Sequence, residues 1–179
     1  MSANGLVRAI GVLAVAVSAG AVAIGAAATP PQTGHAAAKK ITPSGVGAVK
    51  LGKTYKRLRR QRLVGRIGPG CKLGGPNTRS ARLRAPLKGS VDFTLSSPRK
   101  VVNISVRGGA KARGVGIGDT IPEIRAAYPR ARVDRSTEEV FGITLVKIPK
   151  RGGGRLQFAV KTSTDKVTLV GIPFIAFCE

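Results

Sequence analysis

Three stretches of the chain alternate apolar and polar residues with a period of two. Val91, Phe93 and Leu95 flank Asp92 and Thr94; Val102, Ile104 and Val106 flank Asn103 and Ser105; Leu156, Phe158 and Val160 flank Gln157 and Ala159. That period turns one face of an extended chain towards a core, so all three are predicted as half-buried antiparallel strands. Ser96 to Arg99 and Thr162 to Asp165 have the composition of the hairpin turns that follow them. Further strands are expected over 141–148 and 167–177. Elsewhere the spacing lengthens. Ile121, Ile124 and Tyr128 share one helical face. Thr120 caps that helix, and Glu123 completes a capping box. Pro122 is tolerated in the first turn, and Pro129 ends the helix after Tyr128. Thr54 opens a second helix of the same kind, with Tyr55, Leu58 and Leu63 facing inward. Gly52 and Gly118 precede the two caps, where a tight strand-to-helix turn favours glycine.

These elements recur in order. The run from Val49 to Arg59 aligns with Val115 to Arg125 at an offset of 66 residues, and Gly89 to Leu95 aligns with Gly154 to Val160. Lys100, Val101 and Ile104 match Lys166, Val167 and Val170. The expected fold class is α+β: two tandem helix-plus-antiparallel-strand units, 39–108 and 109–179, packed together with the helices on one side of the sheet. A unit of this size is small for a core of its own.

The tandem pattern resembles the secreted β-lactamase-inhibitor-protein type and the related small outer-membrane lipoprotein (SmpA/OmlA) module. Val49, Leu51, Gly52, Thr54 and Leu58, and Val115, Ile117, Gly118, Thr120 and Ile124, carry the resemblance. It implies an α+β fold and a binding role without catalysis. The chain departs from the inhibitor pattern in its scarcity of aromatics, its extreme charge and its single cysteine pair. No inhibitor contact residues are carried over.

Residues 9–28 contain no charged side chain and follow Arg8, which reads as the n-region and h-region of a secretory signal. Pro30 and Pro31 break the run. Cleavage is expected after Ala36 or Ala38, with Ala26-Ala27-Ala28 as a second candidate. Residues 1–38 are thus read as signal peptide and disordered stub. The rival is an uncleaved anchor, since twenty apolar residues can span a bilayer. Either way the protein is expected to be secreted or associated with the cell envelope.

Composition narrows the chemistry. The chain has 179 residues, no Trp and one His, His35, which lies in the leader region. With its only histidine there, outside the part expected to fold, His-based acid/base catalysis, Ser-His-Asp triads and His-ligated metal sites are not expected. Cys71 and Cys178 are too few for a four-cysteine zinc site. In an oxidising compartment they are expected to form a disulfide. Asp119 and Glu123 stand four apart at a helix start and are read as dipole compensation and capping. Glu138 and Glu139 are read as a solvated turn or a local partner for Arg135. The glycine runs at 108–109 and 152–154 lack the spacing of a phosphate-binding loop. No catalytic residue, metal or cofactor is assigned, and the protein is not expected to be an enzyme.

Charge is the feature that stands out. The chain carries 31 basic and 8 acidic residues, a net charge of +23. From Lys39 to Lys88 there are 15 basic residues and no acid. Lys53, Lys56, Arg57 and Arg60 are the candidate anion-binding residues. Lys56, Arg57 and Arg60 fall on the outward face of the first helix, with Lys53 in the turn before it. Arg59 and Arg125 align and are read as stem-packing residues. The start of the first helix is the expected contact, because free N–H groups of a first turn also attract anions. Three functions are weighed. The first is a cationic binding protein for an anionic cell-envelope polymer, an acidic lipid or an acidic protein. Nucleic acid suits the charge but is not favoured, because only Tyr55 could serve as a stacking platform. The second is an inhibitor-like protein that binds an extracellular enzyme through its sheet and loops. The third, an enzyme using paired acids, lacks a catalytic constellation.

Overall fold

In the computed structural model, which describes residues 38–70, 78–149 and 155–177, short elements follow one another closely. The first half runs β1 (Lys39–Thr42), β2 (Gly45–Val46), β3 (Val49–Lys50), α1 (Tyr55–Arg60), β4 (Val64–Pro69), β5 (Thr78–Leu83), β6 (Lys88–Thr94) and β7 (Val101–Gly108). The second half runs β8 (Ala110–Lys111), α2 (Ile121–Ala127), β9 (Arg132–Asp134), α3 (Glu138–Phe141), β10 (Ile143–Ile148), β11 (Leu156–Lys161) and β12 (Lys166–Ile172).

Eight strands form one antiparallel sheet in the order β4-β5-β6-β7-β12-β11-β10-β9. The two halves of the chain meet at its centre, where Val106 pairs with Val170 and Ile104 with Ile172. A four-stranded sheet, β3-β2-β1-β8, lies apart from it. There β1 runs parallel to β8, pairing Lys39 with Ala110. Ile41, Val46, Val49 and Ala110 of the small sheet share one buried cluster with Phe93, Ile104, Phe158 and Val170 of the large one.

The α+β expectation is overturned: the fold is mostly β, with 49% of the described residues in strands and 13% in helices. The physical reason is coverage. A six-residue helix is about 9 Å long, whereas eight paired strands extend about 35 Å across. Each of α1 and α2 buries a single side chain fully, Leu58 and Ile124. Ile41, Val46, Val49 and Ala110 of the small sheet add to that cover.

Local expectations fare better. Phe93 and Phe158 are fully buried. Gly52 and Gly118 both have positive φ, at 77° and 92°. Each anchors its turn to the large sheet in the same way. Gly52 N–H donates to Val101 O at 2.8 Å, and Gly118 N–H to Val167 O at 2.9 Å. Lys53 O and Asp119 O accept in return from Val101 and Val167. At α2, Glu123 accepts from both the backbone N–H and the hydroxyl of Thr120, which holds its carboxyl below the ordinary range.

Four strand details are corrected. β6 ends at Thr94, so Leu95 lies exposed rather than in the core. A register shift after Asp92 pairs Phe93 with Val101, so Val101 takes the fully buried place expected of Val102. β12 stops at Ile172, and the following residues fold back over the sheet, where Ile175 N–H donates to Gln157 Oε1 at 2.9 Å. Ile175 packs there with Leu145, Ala159 and Leu169 in a second buried cluster. The strand expected from residue 141 begins at Ile143, after α3. Among the described residues, no helix is long and apolar enough to cross a membrane. The leader with His35, the glycine run 152–154, and both Cys71 and Cys178 lie outside the described residues.

Candidate functional site

The basic run is organised by α1 and the two strands that flank it. Thr54 caps the helix in extended conformation, its hydroxyl accepting from Arg57 N–H at 3.4 Å. Leu58 then points into the core, which turns Lys56, Arg57 and Arg60 to solvent. Lys53, in the turn from β3, is half-buried. The four candidate residues are thus adjacent, and three of them are fully displayed.

The helix-start contact is corrected in one respect. With six residues, α1 places Arg57 and Arg60 in its last turn, where positive charge suits the helix dipole. Two first-turn amides are also taken: Tyr55 N–H donates to Arg99 O at 2.8 Å, and Arg57 N–H to the Thr54 hydroxyl. The backbone therefore offers little to an anion, and recognition rests on the side chains. Arg59 is exposed, and its guanidinium donates to Val64 O at 3.4 Å. Arg125 is exposed as well.

The tertiary structure enlarges the patch with residues distant in sequence. Tyr55 binds the backbone of Arg99, and Thr54 bridges to Lys100, so the loop between β6 and β7 lies against the helix start. Lys56 and Arg99 line the two sides of a small cleft of about 220 Å³ there. At the other end of the helix, Arg84 N–H donates to Leu63 O at 3.0 Å. Arg84, Arg99 and Lys100 are all exposed. Only the count of basic residues hinted at them, because no periodicity links 84 or 99 to 56.

Among the described residues, no acid pairs with this surface. Asp92 is the only carboxylate before Asp119, and it is buried against Asn103. Among the described residues, the ion pairs are Lys111 with Asp119, Arg135 with Glu138 and Lys147 with Asp134. All three fall in the second half of the chain. Asp119 is further occupied by Gly116 N–H at 2.7 Å. Asp119 and Glu123 are therefore each engaged in local turn and cap contacts.

No protein family, no curated protein and no solved structure matches this chain. The resemblance noted above rests on its motif residues alone.

Proposed function

We propose that the protein is a secreted, non-enzymatic binding protein whose cationic surface around α1 engages an anionic polymer or lipid of the cell envelope. One observation carries the reading. Lys56, Arg57 and Arg60 are displayed together with Arg84, Arg99 and Lys100, and among the described residues no carboxylate pairs with any of them. Charge that only aided solubility would not need this local excess, since the second half of the chain pairs several of its cations. A dense array of exposed lysine and arginine binds phosphate-rich surfaces through many weak contacts, with arginine adding bidentate geometry.

The test replaces Lys53, Lys56, Arg57 and Arg60 with Gln. Binding is measured to a purified phosphate-rich wall polymer and to vesicles containing phosphatidylglycerol, at low and high salt. At about 1 kcal/mol for each basic residue near an anionic surface, the variant binds roughly two to three orders of magnitude more weakly. Wild-type affinity falls steeply as salt screens the charges. The variant keeps its circular dichroism spectrum and melting temperature, because Leu58 and the Thr54 cap are untouched. Equal binding by variant and wild type overturns the proposal, as does the absence of binding at low salt. Salt-insensitive binding to a protein partner would favour the inhibitor-like role.

A further inference from the structure

A second site lies away from α1, where β1, the end of α2 and the end of β10 meet. A cleft of about 600 Å³ opens there, within the range of small-molecule sites. Its floor is apolar: Ile41 and Ile148 are buried, and Tyr128 is half-buried with its ring against Phe158, centroids 6.2 Å apart. Three cations, Lys40, Arg113 and Arg130, stand on its walls. Among the described residues, none of the three pairs with a carboxylate.

Arg113 is held in place at a cost to the backbone. It is the first central residue of a two-residue turn closed by the Ala112 and Val115 amides, at 2.7 and 3.1 Å. Arg113 and Gly114 have φ of 51° and 86°, the pattern of a turn that prefers Asn, Asp or Gly at its first position. Arginine there is strained. What the strain secures is position: the guanidinium stands 5.1 Å from the Tyr128 ring centroid and donates to Ala127 O at 3.5 Å. A guanidinium seated on an aromatic face keeps N–H groups at its edge for an oxyanion. Burial pushes the Tyr128 hydroxyl above its ordinary 10.0, only partly offset by Arg113, so it stays a neutral O–H donor beside that guanidinium.

We propose that this cleft binds a small amphipathic anion, its apolar body on Ile41, Tyr128 and Ile148 and its single anionic head on Arg113, Lys40 and Arg130. This site is independent of the surface around α1 and takes a small molecule rather than a polymer. An apolar floor alone would accept any greasy ligand; three unneutralised cations above it select for negative charge.

The chain has two tyrosines and no tryptophan, so in a Tyr55→Phe variant Tyr128 is the sole emitter. Decanoate and decyl phosphate, titrated below their aggregation thresholds, should each change its fluorescence saturably. The tighter of the two identifies the head group. Decanol should bind at least tenfold more weakly, and decyltrimethylammonium should leave the signal unchanged. Arg113→Gly, which suits the positive φ and so keeps the turn, should weaken decanoate and decyl phosphate binding at least tenfold while the melting temperature holds or rises. The quadruple Gln variant at Lys53, Lys56, Arg57 and Arg60 should bind both anions as well as its parent. The proposal is overturned if neither anion perturbs Tyr128 or if the ammonium amphiphile binds equally well. It also fails if Arg113→Gly binds as tightly as its parent, or if the quadruple variant loses binding.

Discussion

Asn103 donates its side-chain amide to Asp92 Oδ2 at 3.2 Å, across directly opposed positions of β6 and β7, and both side chains are buried. A buried carboxylate needs such a partner, because an unpaired one is costly to remove from water. The pair sits on the face of the large sheet opposite Phe93, near its middle, where a second charge would have no escape. Asn103→Asp should therefore destabilise the protein by about 3–5 kcal/mol near neutral pH. Urea unfolding of wild type and variant measures the loss. A difference within about 0.5 kcal/mol would count against the role assigned to the pair.

Phe93 and Phe158 occupy matching strands on either side of the sheet centre, and each meets a tyrosine from the helix region. Tyr55 stands edge-on to Phe93 at 5.4 Å, and Tyr128 lies tilted against Phe158. Truncation of either phenylalanine to alanine should cost about 3–5 kcal/mol through lost burial and a residual cavity. Leu95→Ala, at an exposed position, should stay within about 0.5 kcal/mol of wild type. Comparable losses at Leu95 and Phe93 in thermal melts would mean that β6 extends further than Thr94.

Gly171 lets the C-terminal segment close over the sheet. A methyl group there would stand 2.4 Å from Phe174 O and 2.6 Å from Ile175 Cγ1. Gly171→Ala should lift the segment, break the bond from Ile175 N–H to Gln157, and cost about 1–3 kcal/mol. Hydrogen exchange at Ile175 is the direct readout: faster exchange is expected in the variant, with Phe93 and Val106 keeping their protection. Unchanged exchange at Ile175 would count against the role assigned to Gly171.

Asp134, on the edge strand β9, is bonded to Lys147 and to both the hydroxyl and the N–H of Ser136. The Lys147 bond, then the Ser136 bonds, hold its carboxyl far below the ordinary 3.8. A carboxylate lowered on folding favours the folded state above its unfolded value, and that favour is lost as pH falls towards the folded one. The contribution should be fully present at pH 5 and above, and should decline below about pH 4. Carbon-detected titration should find Asp134 still ionised well below the ordinary carboxylate range. Lys147→Met should bring it back towards the ordinary range. An ordinary titration in the wild type would show that the pair is broken in solution.

Sequence alone determined what depends on near neighbours. The caps at Thr54 and Thr120, the turns at Gly52 and Gly118, and the inward register of Phe93 and Phe158 all follow from residues within a few positions of one another. The density of positive charge and the outward face of α1 were legible for the same reason, since a helical face is fixed by its own spacing. Tertiary structure decided the fold class. The strands of the small sheet are two to four residues long, too short for a period, and β1 finds its partner β8 roughly 70 positions away. The register shift that exchanges Val101 for Val102 is likewise set by pairing with β6. Arg84, Arg99 and Lys100 join α1 only because strand pairing and loop closure bring them there. Arg113 reaches Tyr128 only because a turn after β8 packs against the end of α2. Such placements depend on which distant segments can bury apolar surface together, a cooperative choice that no local window of residues contains.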